Sequence, residues 1–363
     1  MTTGAPRRVD VVMGTRPEVI KLAPVVIALR RRPEVSVRVV FTGQHADIGT
    51  QALYDFGLSP DLALASMDPG QSLSSLLARL VAALGPATAR GGPDVVIGQG
   101  DSSSAFAAAI AAHHARVPFA HVEAGLRTPT LHLPFPEEGY RRAISALSTV
   151  HFAPTPASAQ RLVAEGHDPA QVHHVGNTVV DAQRLVLSGM TIPRPPSSTG
   201  RVLVTLHRRE LIADGLTALL SVVVDAARER PHLHFCLLRH PNPAVARAID
   251  ALASLPSNIT VLDPQPHGAL TRLLAETLLL VTDSGGLQEE AACLGIPTVV
   301  AREVTDRPEP VAEGLAVLAG TRPKRFADTL RDWLDVPPMR RPIAAFGDGH
   351  AADRIAELLF RSA

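Results

Sequence analysis

The chain has 363 residues, of which 46% are hydrophobic and 19% charged, with 35 basic and 35 acidic side chains. This length suits about two domains, each with its own core. A formal net charge of +0 gives no electrostatic reason to expect a nucleic acid or an anionic membrane as partner. Because no signal peptide and no run of about 18 apolar residues is evident, the sequence predicts a cytoplasmic protein without a membrane span.

Short apolar runs alternate with helical patterns along the whole chain. The strands predicted in the first half cover 9–13, 35–42, 94–98, 117–122, 150–154 and 172–176, with helices at 18–31, 103–115, 138–147 and 157–165. Those of the second half cover 201–205, 234–239, 259–262, 278–282, 297–301 and 315–318 at an edge, with helices at 216–230, 243–252, 268–276 and 287–294.

Strands that are apolar throughout indicate parallel sheets covered on both faces, and helical crossovers are what such sheets require. We therefore predict an α/β protein of two Rossmann-type lobes. The Pro- and Ser-rich segment 188–200 predicts an exposed connection, so the boundary should lie near 177–200. Ligands of open α/β sheets lie beyond the carboxyl ends of the strands, which makes the cleft between the lobes the expected site.

The first predicted strand runs directly into the segment GTRPEVIK, residues 14–21. Thr15 and Glu18 have the spacing of a capping box, which begins a helix. Arg16 is unfavourable there because the helix dipole is already positive at its N-terminus. Either a bound anion, held with help from Lys21, or simple surface exposure of Arg16 would explain this placement.

A second candidate anion site is the segment TDSGGLQEEA, residues 282–291. Gly285 and Gly286 after Ser284 could let the backbone approach a phosphate, or they could serve only a tight turn. Glu290 would lie within reach of ribose hydroxyls, and Arg307 lies on a later strand-to-helix loop.

The segment HRRE, residues 207–210, follows another predicted strand. A solvated charge cluster is one explanation, while its position at a strand's carboxyl end favours anion contact by His207 and one arginine.

Two acids follow predicted strand ends in the first half, and two more begin the next predicted helix. Asp101 and Glu123 end successive strands joined by one helix, so a right-handed crossover should bring them close together. Glu137 and Glu138 begin the next helix, where the helix dipole favours acids in any case. The acids beside possible phosphate sites suggest acid–base chemistry on a nucleotide-linked substrate, although caps or salt bridges are the alternative.

Several cofactors are not expected. No GxGxxG segment follows the first strand and no acid occupies the dinucleotide-ribose position, so NAD is not expected. The histidines show no metal-ligand spacing, and both cysteines lie in apolar surroundings, so we predict no metal and no disulfide.

The chain resembles the non-hydrolysing UDP-N-acetylglucosamine 2-epimerases from residue 9 to nearly its end. The resemblance is carried by GTRPEVIK (14–21), TGQH (42–45), GDSSS (100–104), HVEAGLRT (121–128), FPEE (135–138), GNTVVDA (176–182), HRRE (207–210), TDSGGLQEEA (282–291), RPEPV (307–311) and FGDGHAADRI (346–355). It implies a GT-B-like fold of two lobes with an active-site cleft between them. The N-terminal lobe would comprise residues 1–180 together with the C-terminal helix 349–363, and the C-terminal lobe would comprise residues 181–348. It also implies a homodimer that interconverts UDP-GlcNAc and UDP-ManNAc without a cofactor.

The resemblance also implies roles for individual residues. The catalytic set would be Asp101, Glu123, Glu137 and His207. Residues binding the UDP-sugar would be Arg16, Lys21, His207, Ser284, Gly285, Gly286, Glu290 and Arg307. A regulatory UDP-GlcNAc site would use Gln44, His45, Gln71 and Arg208, but residues 46–48 depart from the family's pattern, so we expect weak or absent activation.

Other departures from the family occur at Leu206, Leu211, Tyr140, His267 and Leu270, which we expect to surround the substrate and alter specificity or rate. The alternatives are a hydrolysing epimerase that releases ManNAc and UDP, an epimerase of a UDP-diacetamido-uronic acid, and a GT-B glycosyltransferase. A non-catalytic nucleotide-sugar sensor is a further alternative, but the presence of Asp101, Glu123 and Glu137 disfavours it.

Overall fold

A computed structural model describes residues 5–44, 46–64, 68, 70–89, 92–132, 134–190, 200–208, 211, 215–240, 242–252, 254–305 and 307–361. The chain divides into two compact units. Unit 1 comprises Met1–Leu185 and Ala345–Ala363, and unit 2 comprises Val186–Ala344. The predicted boundaries, after residues 180 and 348, lie a few residues from these divisions.

Unit 1 is built on a seven-stranded sheet whose strands all run parallel. The strands are β1 (Arg7–Met13), β2 (Val35–Phe41), β3 (Leu62–Ala63), β4 (Val95–Gln99), β5 (Phe119–Val122), β6 (Val150–Ala153) and β7 (Val172–His174). Their order across the sheet is β3-β2-β1-β4-β5-β6-β7, the Rossmann order with one strand added. Both sheet neighbours of β1 are thus fixed, with β2 on one side and β4 on the other.

The crossovers of unit 1 are helical. The helices are α1 (Arg16–Arg30), α2 (Ala46–Asp55), α3 (Leu73–Thr88), α4 (Ser103–Ala115), α5 (Glu137–Leu147), α6 (Pro156–Ala164) and α7 (Thr178–Leu187), with a 3₁₀ turn at Pro169–Gln171. A further 3₁₀ turn, Ala344–Phe346, precedes the last helix of the chain.

Unit 2 repeats the scheme with six parallel strands in the order β10-β9-β8-β11-β12-β13. They are β8 (Arg201–Thr205), β9 (His234–Leu238), β10 (Ile259–Leu262), β11 (Thr277–Thr282), β12 (Thr298–Val300) and β13 (Ala316–Leu318). Its helices are α8 (Leu216–Glu229), α9 (Pro243–Asp250), α10 (His267–Ala275), α11 (Gly285–Cys293), α12 (Pro308–Ala312) and α13 (Pro323–Asp335). Helix α14 (Ala351–Arg361) belongs to unit 1.

Both sheets are covered on both faces, as the sequence predicts. Val11 and Val12 are successive residues of β1, yet they lie in two different hydrophobic clusters. The same holds for Leu203 and Val204 of β8. Since successive side chains of a strand point to opposite faces, each sheet separates two buried layers.

The predicted strands agree with the structure to within about two residues, which is the usual uncertainty of element ends. No bounds were predicted for helices α2, α3, α7, α12 and α13 or for the short strand β3. In particular, α7 lies within the range 177–200 predicted to contain the boundary and ends just before the predicted connection 188–200, of which residues 191–199 lie outside the described residues. No helix in the described parts of the chain is long and apolar enough to cross a bilayer.

Strand order reverses direction between β1 and β4 in unit 1 and between β8 and β11 in unit 2. In open α/β sheets, ligands bind beyond the carboxyl ends of the strands at such a switch point. The segments to consider are therefore those that follow β1, β4 and β5 in unit 1, and β8 and β11 in unit 2.

Candidate active-site residues

Helix α1 begins directly after β1, and its first turn is held by a buried carboxylate. Glu18 accepts hydrogen bonds from the backbone N–H of Gly14 (3.0 Å) and of Thr15 (2.8 Å), so the predicted capping box is present. Its other oxygen accepts from Ser102 Oγ at 2.5 Å. Burial raises the pKa of Glu18, against the lowering effect of these hydrogen bonds. Glu18 thereby ties the loop after β1 to the loop after β4.

Arg16 is half-buried in this first turn. It forms no hydrogen bond or ion pair with any of the described residues. A cation without a counter-charge at the positive end of a helix is destabilising by itself. Of the two explanations offered by the sequence, this environment favours the one in which Arg16 serves a bound anion.

Glu123 immediately follows β5 and is buried among polar partners. Lys21 of α1 forms an ion pair with Oε1, and Gln99 at the end of β4 donates to Oε2. The backbone of Glu123 has φ +63°, a left-handed conformation uncommon for a residue with a side chain. Two charged or polar partners and this backbone conformation fix the carboxylate at the carboxyl end of the strand.

Asp101 follows β4, which pairs directly with β5, so the predicted neighbourhood of the two strand ends is confirmed. Arg141 of α5 donates to Asp101 Oδ2 through Nε at 2.9 Å and also through Nη2. A Cβ added at Gly100 would lie 3.5 Å from Glu123 Oε2, which shows how closely the two loops approach. Asp101 and Glu123 are therefore neighbours, each paired with a cation.

The two acids that begin α5 have different environments. Glu137 is half-buried, whereas Glu138 is completely buried. Glu138 accepts from the backbone N–H of Thr128 at 2.9 Å and from Arg142 Nε at 2.7 Å. Structural bonds thus occupy the fully buried Glu138, whereas Glu137 is less buried at the start of the same helix.

His121 lies two residues before Glu123, and its ring is buried. Its Nε2 lies 2.8 Å from the carbonyl oxygen of Gly100, so this nitrogen carries the proton and donates. Nδ1 is buried and has no hydrogen-bond partner among the described residues. Burial, and to a lesser degree the nearby His151 and Arg127, lower the pKa of His121 to about 3. A neutral histidine thus links β5 to the loop that carries Asp101.

The corresponding centre of unit 2 is Asp283, which follows β11 and is fully buried. One of its oxygens accepts from the backbone N–H of His207 (2.7 Å) and of Arg208 (2.8 Å), and the other lies 3.1 Å from His207 Nδ1. Burial raises the pKa of Asp283, but the bonds from His207 and Arg208 outweigh it and lower the pKa overall. The ring of His207 also stacks on that of His240, with centroids 4.5 Å apart.

These contacts determine what His207 can do. A proton on Nδ1 would face the Asp283 carboxylate, which leaves Nε2 as the other polar atom of a ring that is 26% exposed. Such a histidine can donate to an anion through Nε2 when it is protonated on both nitrogens.

Helix α11 begins after Asp283 with Ser284 as its N-cap, and the Ser284 hydroxyl accepts from Leu287 N–H at 3.4 Å. A Cβ added at Gly286 would meet no atom of the described residues within 4 Å, and one at Gly285 would meet only Arg307 at ordinary contact distance. Neither glycine is required by crowding within the protein. A phosphate could therefore approach the start of α11 at these positions.

Two further acids of α11 are buried. Glu289 accepts from Arg307 Nε at 2.7 Å, which draws the loop before α12 towards α11. Glu290 is 7% exposed in the same helix. Glu290 is thus part of α11, and Arg307 contacts this helix through Glu289.

The residues of the predicted regulatory site are distributed over both units. Gln44 accepts from Ser104 Oγ at 2.9 Å, and Ser104 in turn bonds Thr42. Gln71 lies just before α3, and Arg208 donates through Nε to the Asp283 carbonyl at 3.1 Å. His45 lies outside the described residues.

Most of the departures from the family pattern have packing roles. Leu206 and Leu211 are buried in one hydrophobic cluster of unit 2, and Leu270 is buried in the other. Tyr140 packs on Phe106 with ring centroids 4.8 Å apart. The expectation that these residues surround the substrate was therefore wrong for the three leucines, because their side chains fill the core.

Sequence reasoning missed several polar partners of the site. Gln99 and Arg141 hold the two acids of unit 1, and His240 stacks on His207. Gln99 could have been recognised as a candidate from the sequence, since it is a polar residue at the end of an apolar strand. Within the described residues, no group of three or more His, Cys, Asp or Glu side chains could hold a metal ion.

Comparisons with known proteins agree with this arrangement. The family model described as UDP-N-acetylglucosamine 2-epimerase matches residues 27–360. A UDP-N-acetylglucosamine 2-epimerase of Escherichia coli O157:H7 is 36% identical over 368 residues, covering 97% of this chain and 98% of the relative.

Solved structures are similar over the same extent. The Neisseria meningitidis UDP-GlcNAc 2-epimerase bound to UDP-GlcNAc has a TM-score of 0.89 and 33% identity, over 98% of this chain and 100% of that one. The S. aureus MnaA–UDP co-structure has a TM-score of 0.90 and 31% identity, over 97% and 96%. The fold is accordingly GT-B-like, and the chain belongs to the UDP-N-acetylglucosamine 2-epimerase family.

Proposed function

We propose that this protein is a UDP-N-acetylglucosamine 2-epimerase that interconverts UDP-GlcNAc and UDP-ManNAc without net hydrolysis. The observation that carries the proposal is the pair of carboxylates, Asp101 and Glu123, at the ends of two neighbouring parallel strands. It is supported by membership of the family and by the UDP-GlcNAc bound in the Neisseria meningitidis relative.

The proposed chemistry follows from the weak acidity of the sugar. The C2–H bond has no adjacent carbonyl, so its proton is removable only when the C1–O bond to UDP breaks and C1 becomes cationic. A carboxylate then takes the C2 proton, which leaves 2-acetamidoglucal and free UDP. When UDP re-adds at C1, an acid delivers a proton to the other face of C2. Asp101, Glu123 and Glu137 together supply the proposed acid, base and cation stabiliser, in an order that the proposal leaves open.

Departure of UDP requires positive charge and N–H donors around the diphosphate. We assign this role to His207 and to the start of α11, where Ser284, Gly285 and Gly286 precede or form the first turn. Arg16 is the proposed cation from the start of α1, with Lys21 nearby. Glu290 would bind the ribose and Arg307 would support the same end of the ligand.

Lys21 has a second role in this proposal. Its ion pair with Glu123 places a positive charge beside a carboxylate that is proposed to act on the sugar. Homodimerisation and action in the cytoplasm stay predictions that accompany the proposed activity. So does the weakened activation by UDP-GlcNAc, which rests on the departure at residues 46–48.

The test is to incubate the protein with UDP-GlcNAc in D₂O and to follow the sugar by NMR. Epimerisation gives deuterium at C2 together with UDP-ManNAc. Release of ManNAc and UDP would instead identify a hydrolysing epimerase. Absence of any C2 exchange, with UDP bound, would refute the proposal and favour a transferase or a sensor.

The roles of the acids are tested by Asp101→Asn and Glu123→Gln. Both variants should lose at least about 100-fold in exchange rate while UDP binds nearly as before. Asp94→Asn is the matched control, because Asp94 precedes β4 at the opposite end of the strand that Asp101 follows. Loss of UDP binding in the first two variants would remove these acids from the catalytic role.

A further inference from the structure

A chain of three charged side chains links α5 to Asp101. Arg141 is 5% exposed and donates to Asp101 Oδ2 through Nε at 2.9 Å and through Nη2. On its other side, Nη1 lies 3.3 Å from Glu138 Oε2. The guanidinium is thus held between two carboxylates, one fully buried and one at the strand end.

Glu138 is itself fixed by the helix and by the preceding loop. It accepts from the backbone N–H of Thr128 at 2.9 Å and from Arg142 Nε at 2.7 Å, one helical turn away. Burying an arginine is costly unless its N–H groups meet well-placed acceptors. Asp101 supplies such an acceptor to Nε and Nη2, and Glu138 places its charge 3.3 Å from Nη1 as an ion pair without a hydrogen bond, so both carboxylates hold Arg141 in place.

This anchoring orients the Asp101 carboxylate. Both bonds from Arg141 end on the same oxygen, Oδ2, and Oδ1 has no hydrogen bond from any described residue. The Asp101 side chain is 27% exposed, so the second oxygen is the one that can meet a substrate. Without Arg141, the carboxylate would rotate freely in a loop that has just left the strand.

We propose that Arg141 is a positioning residue of the epimerase reaction, holding Asp101 by Oδ2 so that Oδ1 faces the sugar. This inference rests on the function proposed above. Misplacement of a reacting group by about 1 Å can cost about 100-fold in rate. An effect of this kind falls on the chemical step and leaves the binding of UDP unchanged.

The experiment compares Arg141→Gln and Arg141→Lys with wild type. We expect Arg141→Gln to lower kcat for C2 exchange about 100-fold, with KM and UDP affinity within about threefold. Arg141→Lys should fall about tenfold, because an ammonium keeps the charge but cannot reproduce two N–H bonds to one oxygen. If Arg141→Gln does not fold, Arg141→Lys decides: a kcat equal to that of wild type would overturn the inference.

Arg142→Gln is the matched control, since Arg142 bonds the same Glu138 but not Asp101. It should retain kcat within about threefold, because Thr128 still holds Oε2, the Glu138 oxygen that faces Arg141. An equal loss in Arg142→Gln, or a loss of UDP affinity in Arg141→Gln, would show a general effect on α5 and overturn the inference. If the wild-type protein shows no C2 exchange, the proposed function is refuted and this inference with it. If the wild type is active and Arg141→Gln is equally active, only this inference is refuted.

Discussion

Stability of unit 1 should fall in mild acid because two adjacent histidines are buried in neutral form. His121 on β5 and His151 on β6 are register partners, 1% and 2% exposed, and the Nδ1 of each has no hydrogen-bond partner among the described residues. Burial lowers the pKa of His121 to about 3. Burial, followed by the charge of the neighbouring His167, lowers the pKa of His151 to about 4.

The sign follows from proton linkage. Because both folded-state pKa values lie below the unfolded value of about 6.5, the unfolded chain binds more protons below that pH. The stabilisation is fully present above pH 6.5 and is lost progressively until the pH reaches the folded values. At about pH 5.5 the loss is about 1.4 kcal/mol for each histidine, or roughly 3 kcal/mol for the pair.

The assay is native-state hydrogen exchange of the β5 and β6 amides in urea, at about pH 7.5 and about pH 5.5. His121→Gln keeps an N–H donor for the Gly100 carbonyl but cannot titrate. Its free energy of unfolding should therefore decrease by about 1.4 kcal/mol less than that of wild type between the two pH values. Other titrating groups cancel in this difference.

His132→Gln is the control, because His132 is an exposed histidine of the same unit. It should show the full wild-type decrease. Equal pH dependence in wild type and His121→Gln would refute the reasoning, since it would mean that His121 is not kept neutral by burial in the folded state.

Two glycines and the regulatory site give further predictions. Gly14→Ala should destabilise the protein by about 1–3 kcal/mol in chemical denaturation, because the new Cβ would overlap Thr42 Oγ1 and Ser104 Oγ. Gly286→Ala should fold with unchanged stability, to within about 1 kcal/mol, but lose about tenfold in UDP affinity by calorimetry. Unchanged UDP affinity would contradict a phosphate contact there. Conversion of UDP-ManNAc should respond weakly to added UDP-GlcNAc, and a strongly sigmoidal dependence would disprove this.

Sequence alone determined the elements whose signal is local. The apolar runs of β1, β4, β5, β8 and β11 predicted parallel strands, and both sheets have those strands. The Thr15–Glu18 spacing predicted the start of α1. Helices α3 and α7 were not predicted. The segment of α3 contains a Gly–Pro pair and that of α7 contains several β-branched residues, and both features weaken a helical pattern.

Only the tertiary structure decided which charges meet. Lys21 and Glu123 are 102 residues apart, and Arg141 and Asp101 are 40 apart. Nothing in the sequence near Asp101 distinguishes Arg141 from Arg142 as its partner, because that choice depends on how α5 packs beside β4 and β5. The same applies to Leu206, whose burial in the core follows from the packing of unit 2. Hydrophobic periodicity can be recognised in a window of about ten residues, whereas an ion pair between distant residues depends on the order of the strands in the sheet.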